Sequence, residues 1–298
     1  MTDHIVVGID GSPTSAKALG YAAAEASASG AELEIVHALN LPTVVDFSGV
    51  QLTAPQIDGL QSYAEELLAG AKTWVAERHP DLTCRTRYEV GAPTALLIEL
   101  SKTATALVVG SRGVGAVEGA FLGSVSSRLA TEAHCPVFII GAGDPTPASG
   151  PIVVGVDDSD FSVAAAAFAL REAVRRNTTV RAVTGYRVPV LAVPTEPDLI
   201  TALQESERAE ADKVIVEVMR RAQSDSTASV PVETVTVDGG ASDAILSQAT
   251  DAQLIVVGSH GRGLIGRLLL GSVSRRVLQD ADRPVAVVNV SESDPQQS

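Results

Sequence analysis

Two stretches of this chain have residue types and spacing suited to holding phosphate. Residues 110–126 read GSRGVGAVEGAFLGSVS and residues 258–274 read GSHGRGLIGRLLLGSVS. Each follows a short apolar run, ALVV or LIVV, and each has Gly-x-x-Gly, nine residues, then Gly-Ser. Glycines at the end of a strand let a ligand come close to the main chain. A helix starting at Gly123-Ser124 or Gly271-Ser272 would offer unpaired N–H groups and the positive end of its dipole. The hydroxyls of Ser124, Ser126, Ser272 and Ser274 add donors. The first cradle comprises Gly110, Ser111, Arg112, Gly113, Val114, Gly115 and Ala116 with Gly123, Ser124, Val125 and Ser126. The second comprises Gly258, Ser259, His260, Gly261, Arg262, Gly263 and Leu264 with Gly271, Ser272, Val273 and Ser274. Taken singly, either loop also suits a tight turn leading into a capped helix.

Other phosphate and catalytic patterns do not fit. GxxxxGK[ST] is absent, and the chain's lysines, Lys17, Lys72, Lys102 and Lys213, lie outside both loops. GRGLIG at 261–266 satisfies GxGxxG. That fingerprint belongs to a first strand–helix turn and opens its helix directly. Here it follows a fourth strand, and Glu118 occupies the third glycine's place in the first copy. There is no Ser/His/Asp arrangement, no HExxH and no paired-cysteine metal site. His260 stands where the first loop has Arg112, and reads as a polar surface side chain. His4, His37, His79 and His134 lack ligand spacing. No catalytic residue and no protein metal site is expected.

The elements that must position these loops also occur twice. IVVGIDGS (5–12) matches IVVGVDDS (152–159), and LGSVSSRL (122–129) matches LGSVSRRV (270–277), at offsets of 147 and 148. A repeat this long is a whole domain. The expected domains are 1–142 and 151–298, with 143–150 as a Gly/Pro/Ser-rich linker. In the first, strands HIVVGI, ELEIVHAL, TCRTRYEV, ALVV and PVFII alternate with helices after Ser12, around 56–79, over 93–102 and from 124. Ser12 suits an N-cap, Pro13 a first helical position and Gly30 a helix end. In the second, strands fall near 151–156, 179–185, 232–237, 253–257 and 284–290. Such alternation specifies an α/β fold, each domain a parallel sheet with helices on both faces. ALVV and LIVV lack polar alternation, as strands buried on both faces should.

The 298 residues are 45% hydrophobic, 19% charged and only 3% aromatic, so the cores must be built from Val, Ile, Leu and Ala. A net charge of −14 disfavours nucleic acid and anionic membranes as partners. It does not exclude a small anion held by local N–H groups. Cys84 and Cys135 form no framework, and Cys135, before PVFII, reads as a small buried hydrophobe. No leader and no apolar run of membrane-spanning length is visible. The expected location is the reducing cytoplasm, without membrane insertion.

VVGID or VVGVD at each domain start, together with the twice-present G-x2-G-x9-G-[ST], resembles the universal stress protein family in its ATP-binding branch. The resemblance covers nearly the whole chain. It implies two tandem Rossmann-like domains, each a five-stranded parallel sheet, with ATP as ligand and magnesium carried on its phosphates. It implies that the loop and Gly-Ser hold phosphates and ribose, and that Asp10 and Asp157 lie beside the nucleotide. Gly8 and Gly155 precede those acids, and the second strand's end, His37-Ala38 or Ala182-Val183, would face adenine. By residue type alone, Asp10 and Asp157 also suit turn chemistry. The resemblance further implies a nucleotide-dependent regulator of stress response or growth, a homodimer and a protein partner. The alternatives are a slow ATPase or phosphotransferase, or a nucleotide-free scaffold. Residues 258–276 carry Arg262, Arg267, Arg275 and Arg276 without an acid, whereas 110–128 carry Arg112, Arg128 and Glu118. If these charges face the ligand, the second site binds triphosphate more tightly; the same residues also suit a solvated helix face.

Overall fold

The valine- and isoleucine-rich runs form the buried strands of parallel sheets, and the alanine-rich segments form helices that cover them. The computed structural model describes residues 3–39, 54–113, 122–143, 149–188, 197–261 and 269–290. It divides into two units, Met1–Ala142 and Gly143–Ser298.

Unit 1 runs β1 (His4–Gly8), α1 (Pro13–Ser29), β2 (Glu32–Leu39), α2 (Ala54–Arg78), β3 (Cys84–Val90), α3 (Pro93–Ser101), β4 (Ala106–Gly110), α4 (Ser124–Glu132) and β5 (Val137–Ile140). Its strands lie in the order β3-β2-β1-β4-β5, all parallel. Unit 2 runs β6 (Ile152–Gly155), α5 (Asp160–Arg176), β7 (Val180–Tyr186), α6 (Pro197–Ala222), β8 (Val232–Asp238), α7 (Ala241–Ser247), β9 (Leu254–Gly258), α8 (Ser272–Asp280) and β10 (Val285–Val288). Its order is β8-β7-β6-β9-β10, again all parallel. The fold is α/β, two tandem Rossmann-like domains of five strands each. Strand and helix ends differ from the sequence expectation by a residue or two, where terminal hydrogen bonds run out.

The crossover rule explains the layering. From β1 the chain steps to β2 and β3, then returns past β1 to β4 and β5. Right-handed connections therefore put α1 and α2 on one face and α3 and α4 on the other. The helices do pack in those pairs, as do α5 with α6 and α7 with α8. The strand order reverses between β1 and β4, and between β6 and β9. In open sheets of this kind a crevice forms there, beyond the carboxyl ends.

Local chemistry sets the helix limits. Ser12 caps α1 by accepting a hydrogen bond from Ser15 N at 3.2 Å, with Pro13 first in the helix and Gly30 ending it at φ 71°. Ser159 caps α5 in the same way, and Asn177, at φ 49°, ends it. Asparagine is the residue other than glycine that most readily takes this left-handed geometry. Ala18, Ala22, Ala23 and Ala26 of α1 are fully buried. Their small side chains let the helix settle closely on β1 and β4, which it contacts. Among the described residues, no helix is long and apolar enough to cross a membrane.

Cys135 is buried at 8% exposure, as expected, and burial pushes its thiol up to about 12. The thiolate is the reactive form. Ellman's reagent at pH 8 should therefore leave Cys135 unmodified in the native chain and titrate it only after unfolding. Rapid labelling of Cys135 in the folded protein, located by peptide mapping, would contradict the packing of β5.

Candidate functional site

The site begins in the turn after the first strand. In unit 1, Asp10 Oδ1 accepts from Ser12 N at 3.0 Å. In unit 2, Asp157 Oδ1 accepts from Ser159 N at 3.0 Å and from Ser159 Oγ at 2.5 Å. Turn chemistry thus holds one carboxylate oxygen. The other lies against the glycine loop. A Cβ added at Gly261 would stand 2.7 Å from Asp157 Oδ2, and one at Gly113 would press on Asp10 Oδ2. The second glycine of Gly-x-x-Gly therefore leaves room for the pinned acid, whose second oxygen a Cβ would displace.

The first glycine answers to a different neighbour. A Cβ at Gly110 would lie 2.8 Å from Thr14 C, and one at Gly258 would lie 2.9 Å from Phe161 Cβ. Any side chain there would lift the first turn of α1 or α5 off the sheet. Each loop is then closed at its base. Gly123 N donates to Ser111 O at 2.7 Å, and Gly271 N donates to Ser259 O at 2.9 Å. Ser126 Oγ donates to Ser111 O at 3.0 Å, and Ser274 Oγ to Gly258 O at 2.6 Å. Both serines are buried, and their protons point back into the loop. Ser124 and Ser272 are exposed at the helix starts. Neither α4 nor α8 has a side-chain cap on its first turn.

The two units tether the loop differently. In unit 1 the Arg112 carbonyl accepts from Thr14 Oγ1 at 2.5 Å and from Ser12 Oγ at 3.3 Å, and the Arg112 residue is exposed. In unit 2 Thr14 is replaced by Phe161, whose ring lies 4.9 Å from that of His260. His260 is consequently 7% exposed, with Nδ1 2.9 Å from Ser259 Oγ. This corrects the expectation of a surface histidine: an aromatic neighbour from another element covers it.

Unit 2 has a cavity of about 700 Å³ at the switch point. Gly155, Asp157, Gly258, His260 and Gly261 line it at the strand ends. Val183, Thr184 and Gly185 of β7 form one side with Ala241 and Ile245 of α7. Gly271, Ser272, Val273 and Ser274 also line it, and the lining continues along α8 through Arg275, Arg276 and Gln279. Ser259 is fully buried and does not line it. Arg262, Gly263 and Leu264, like Val114, Gly115 and Ala116, lie outside the described residues. In unit 1 the strand-end residues are arranged alike. Gly8 pairs with Val109 across β1 and β4, the Gly113 main chain abuts Asp10, and Ser111 meets Gly123. Val125, beside exposed Ser124 in the first turn of α4, is half-buried.

Register refines the second-strand assignment. Ile9 N donates to Val36 O, and Val156 N donates to Val183 O. The counterpart of Val183 is therefore Val36, and that of Ala38 is Gly185. The two positions named from the sequence, Ala38 and Val183, are 145 apart, two residues out of step with the offset of 147 that relates the first strands and, by register, the second strands as well. The sequence reading also missed Ala241, Ile245 and Gln279. The signal for the α7 residues was Gly239-Gly240 before a short helix, at the carboxyl end of another strand. A Cβ at Gly185 would lie 2.8 Å from Ala241 N, so α7 begins directly against β7.

The charges are partly neutralised. Arg128 pairs with Glu132 through two nitrogens at 2.9 Å, and Arg276 pairs with Asp280. Among the described residues no group of three His, Cys, Asp or Glu side chains could hold a metal.

Two five-stranded parallel sheets, each with the loop after its fourth strand tied at its base, define a tandem Rossmann-like protein with a crevice at the switch point of unit 2. The model of the Universal stress protein family matches residues 1–141 and again 149–289, and the chain belongs to that family. It is 33% identical over 295 residues to universal stress protein Rv2005c of Mycobacterium tuberculosis, covering 96% of this chain and 97% of that protein. It is 34% identical over 293 residues to universal stress protein Rv2623 of the same organism, covering 96% of each. A crystal structure of a universal stress protein from Archaeoglobus fulgidus shares the fold, with a TM-score of 0.69 and 20% identity over 97% of both chains.

The serine geometry makes a contrast that can be measured. Ser274→Ala leaves the Gly258 carbonyl short of a buried donor and should cost about 1–2 kcal/mol in urea unfolding. Ser272→Ala, at an exposed position without a cap bond, should change stability by less than about 0.5 kcal/mol. Equal losses for the two would refute the assignment of Ser274 as the loop clamp.

Proposed function

We propose that this chain binds ATP, one molecule per domain, and serves as a nucleotide-dependent regulator of stress response or growth. The observation that carries the reading is the unit 2 cavity. At about 700 Å³ it falls within the range of small-molecule sites. Its residues suit the parts of a nucleotide. Val183, Ala241 and Ile245 offer an apolar wall to a base. The uncapped first turn of α8, with exposed Ser272, offers N–H and hydroxyl donors to phosphate. Asp157 lines the same cavity. Unit 1 would use Gly8, Asp10 and Ala38, the Gly110–Gly113 turn and the start of α4.

Magnesium would enter on the phosphate oxygens of the nucleotide, with Asp10 or Asp157 as the nearest protein carboxylates. Membership in the family supports the regulatory role. Nucleotide occupancy would alter the surface offered to a protein partner or to a second copy of the chain.

The test is calorimetric titration of ATP into protein freed of nucleotide, with and without Gly261→Ala. Wild type should bind near two equivalents. In the variant the new methyl group meets Asp157 Oδ2, and unit 2 affinity should fall at least about tenfold while the melting temperature shifts by only a few degrees. Absence of any ATP binding to wild type would sink the reading in favour of a scaffold. Steady release of ADP and phosphate, lost in an Asp10/Asp157 double variant, would move it to an ATPase.

A further inference from the structure

The unit 2 cavity continues beyond the start of α8. Arg275 and Gln279 line it further along the helix, and the apolar Ala241 and Ile245 of α7 line the same cavity. Their counterparts on α4 are Ser127 and Thr131, and the Thr131 hydroxyl donates back to Arg128 O at 3.0 Å. The neighbouring arginine does not separate the units. Arg128 is held by Glu132 and Arg276 by Asp280, four residues on in each case. Arg275 differs. It is exposed at the cavity edge, and no carboxylate pairs with it among the described residues.

We propose that Arg275 makes unit 2 a reader of phosphate-chain length, whereas unit 1, with Ser127, is not one. The inference rests on the nucleotide-binding reading above and names its specificity residue. Helix rise places Arg275 about 4.5 Å along the axis from Ser272, within one side chain's reach of the helix start. The first-turn N–H groups hold the phosphate nearest the sheet. The guanidinium takes the oxygens of the phosphate beyond it, a contact for which its planar fork is suited. Ala241 and Ile245 supply no competing anion. Asp157 lines the cavity just beyond the end of β6. The preferred ligand of unit 2 is thus a nucleoside triphosphate over the diphosphate. Gln279, about 10 Å from Ser272 along α8, borders the space where a longer chain would extend.

The experiment uses the full chain with Gly113→Ala, so that unit 2 dominates the titration, and compares ATP, ADP and AMP. Arg275→Ser imports the residue of unit 1. It should reduce the ATP-over-ADP preference about tenfold and leave AMP affinity unchanged. Arg275→Lys, which keeps the charge and loses the fork, should fall between. Ser127→Arg in a Gly261→Ala background should raise the same preference in unit 1. An unchanged ATP/ADP ratio in Arg275→Ser overturns the inference while nucleotide binding itself stands. If wild type binds none of the three nucleotides, both the inference and the reading beneath it fall.

Discussion

The contact on which each domain's site depends is between a carboxylate and a carbon that has no side chain. Asp10 and Asp157 are each held through one oxygen by the turn they occupy. The other oxygen lies against the Cα of Gly113 or Gly261. This brings the turn after the first strand and the loop after the fourth to a fixed separation across the switch point. Alanine at either glycine would displace that oxygen. Serine hydrogen bonds at the loop base and the glycines beneath α1 and α5 reinforce the same approach from behind.

Duplication shows which parts of this arrangement are interchangeable. The pinned acid, the closed ring and the inward serine occur in both units with nearly the same partners. The link between loop and first helix does not. Thr14 makes it with a hydroxyl in unit 1, and Phe161 makes it with a ring in unit 2. Either solution holds the loop, and each changes what the next residue can do. Arg112 is left exposed, while His260 is covered.

Much of the fold was legible because the repeat, the period of the apolar runs and the caps all agreed. Ser12, Pro13 and Gly30 define α1 by local chemistry alone. The glycine spacing located both loops. What escaped depended on partners distant in sequence. The burial of His260 needs Phe161, which no pattern around the loop reveals. The equivalence of Ala38 and Gly185, by contrast, follows from carrying the offset of 147 onto the second strand, and the ladders β1–β2 and β6–β7 agree with it. The α7 wall needs the knowledge that Ala241 packs against Gly185. One signal was local: Arg128–Glu132 and Arg276–Asp280 have the four-residue spacing of helical ion pairs, which favours the solvated helix face for those two arginines.

The buried serines have a consequence for genetics. Ser126 and Ser274 turn their protons inward, so the donors left at the crevice are chiefly main-chain N–H groups. Those groups are not removed by any exchange of side chains other than to proline. Truncating either buried serine would therefore register as a loss of folding and say little about what the crevice holds. At the Gly-x-x-Gly turns the informative alleles are the ones that add atoms, because there the side chain is already absent.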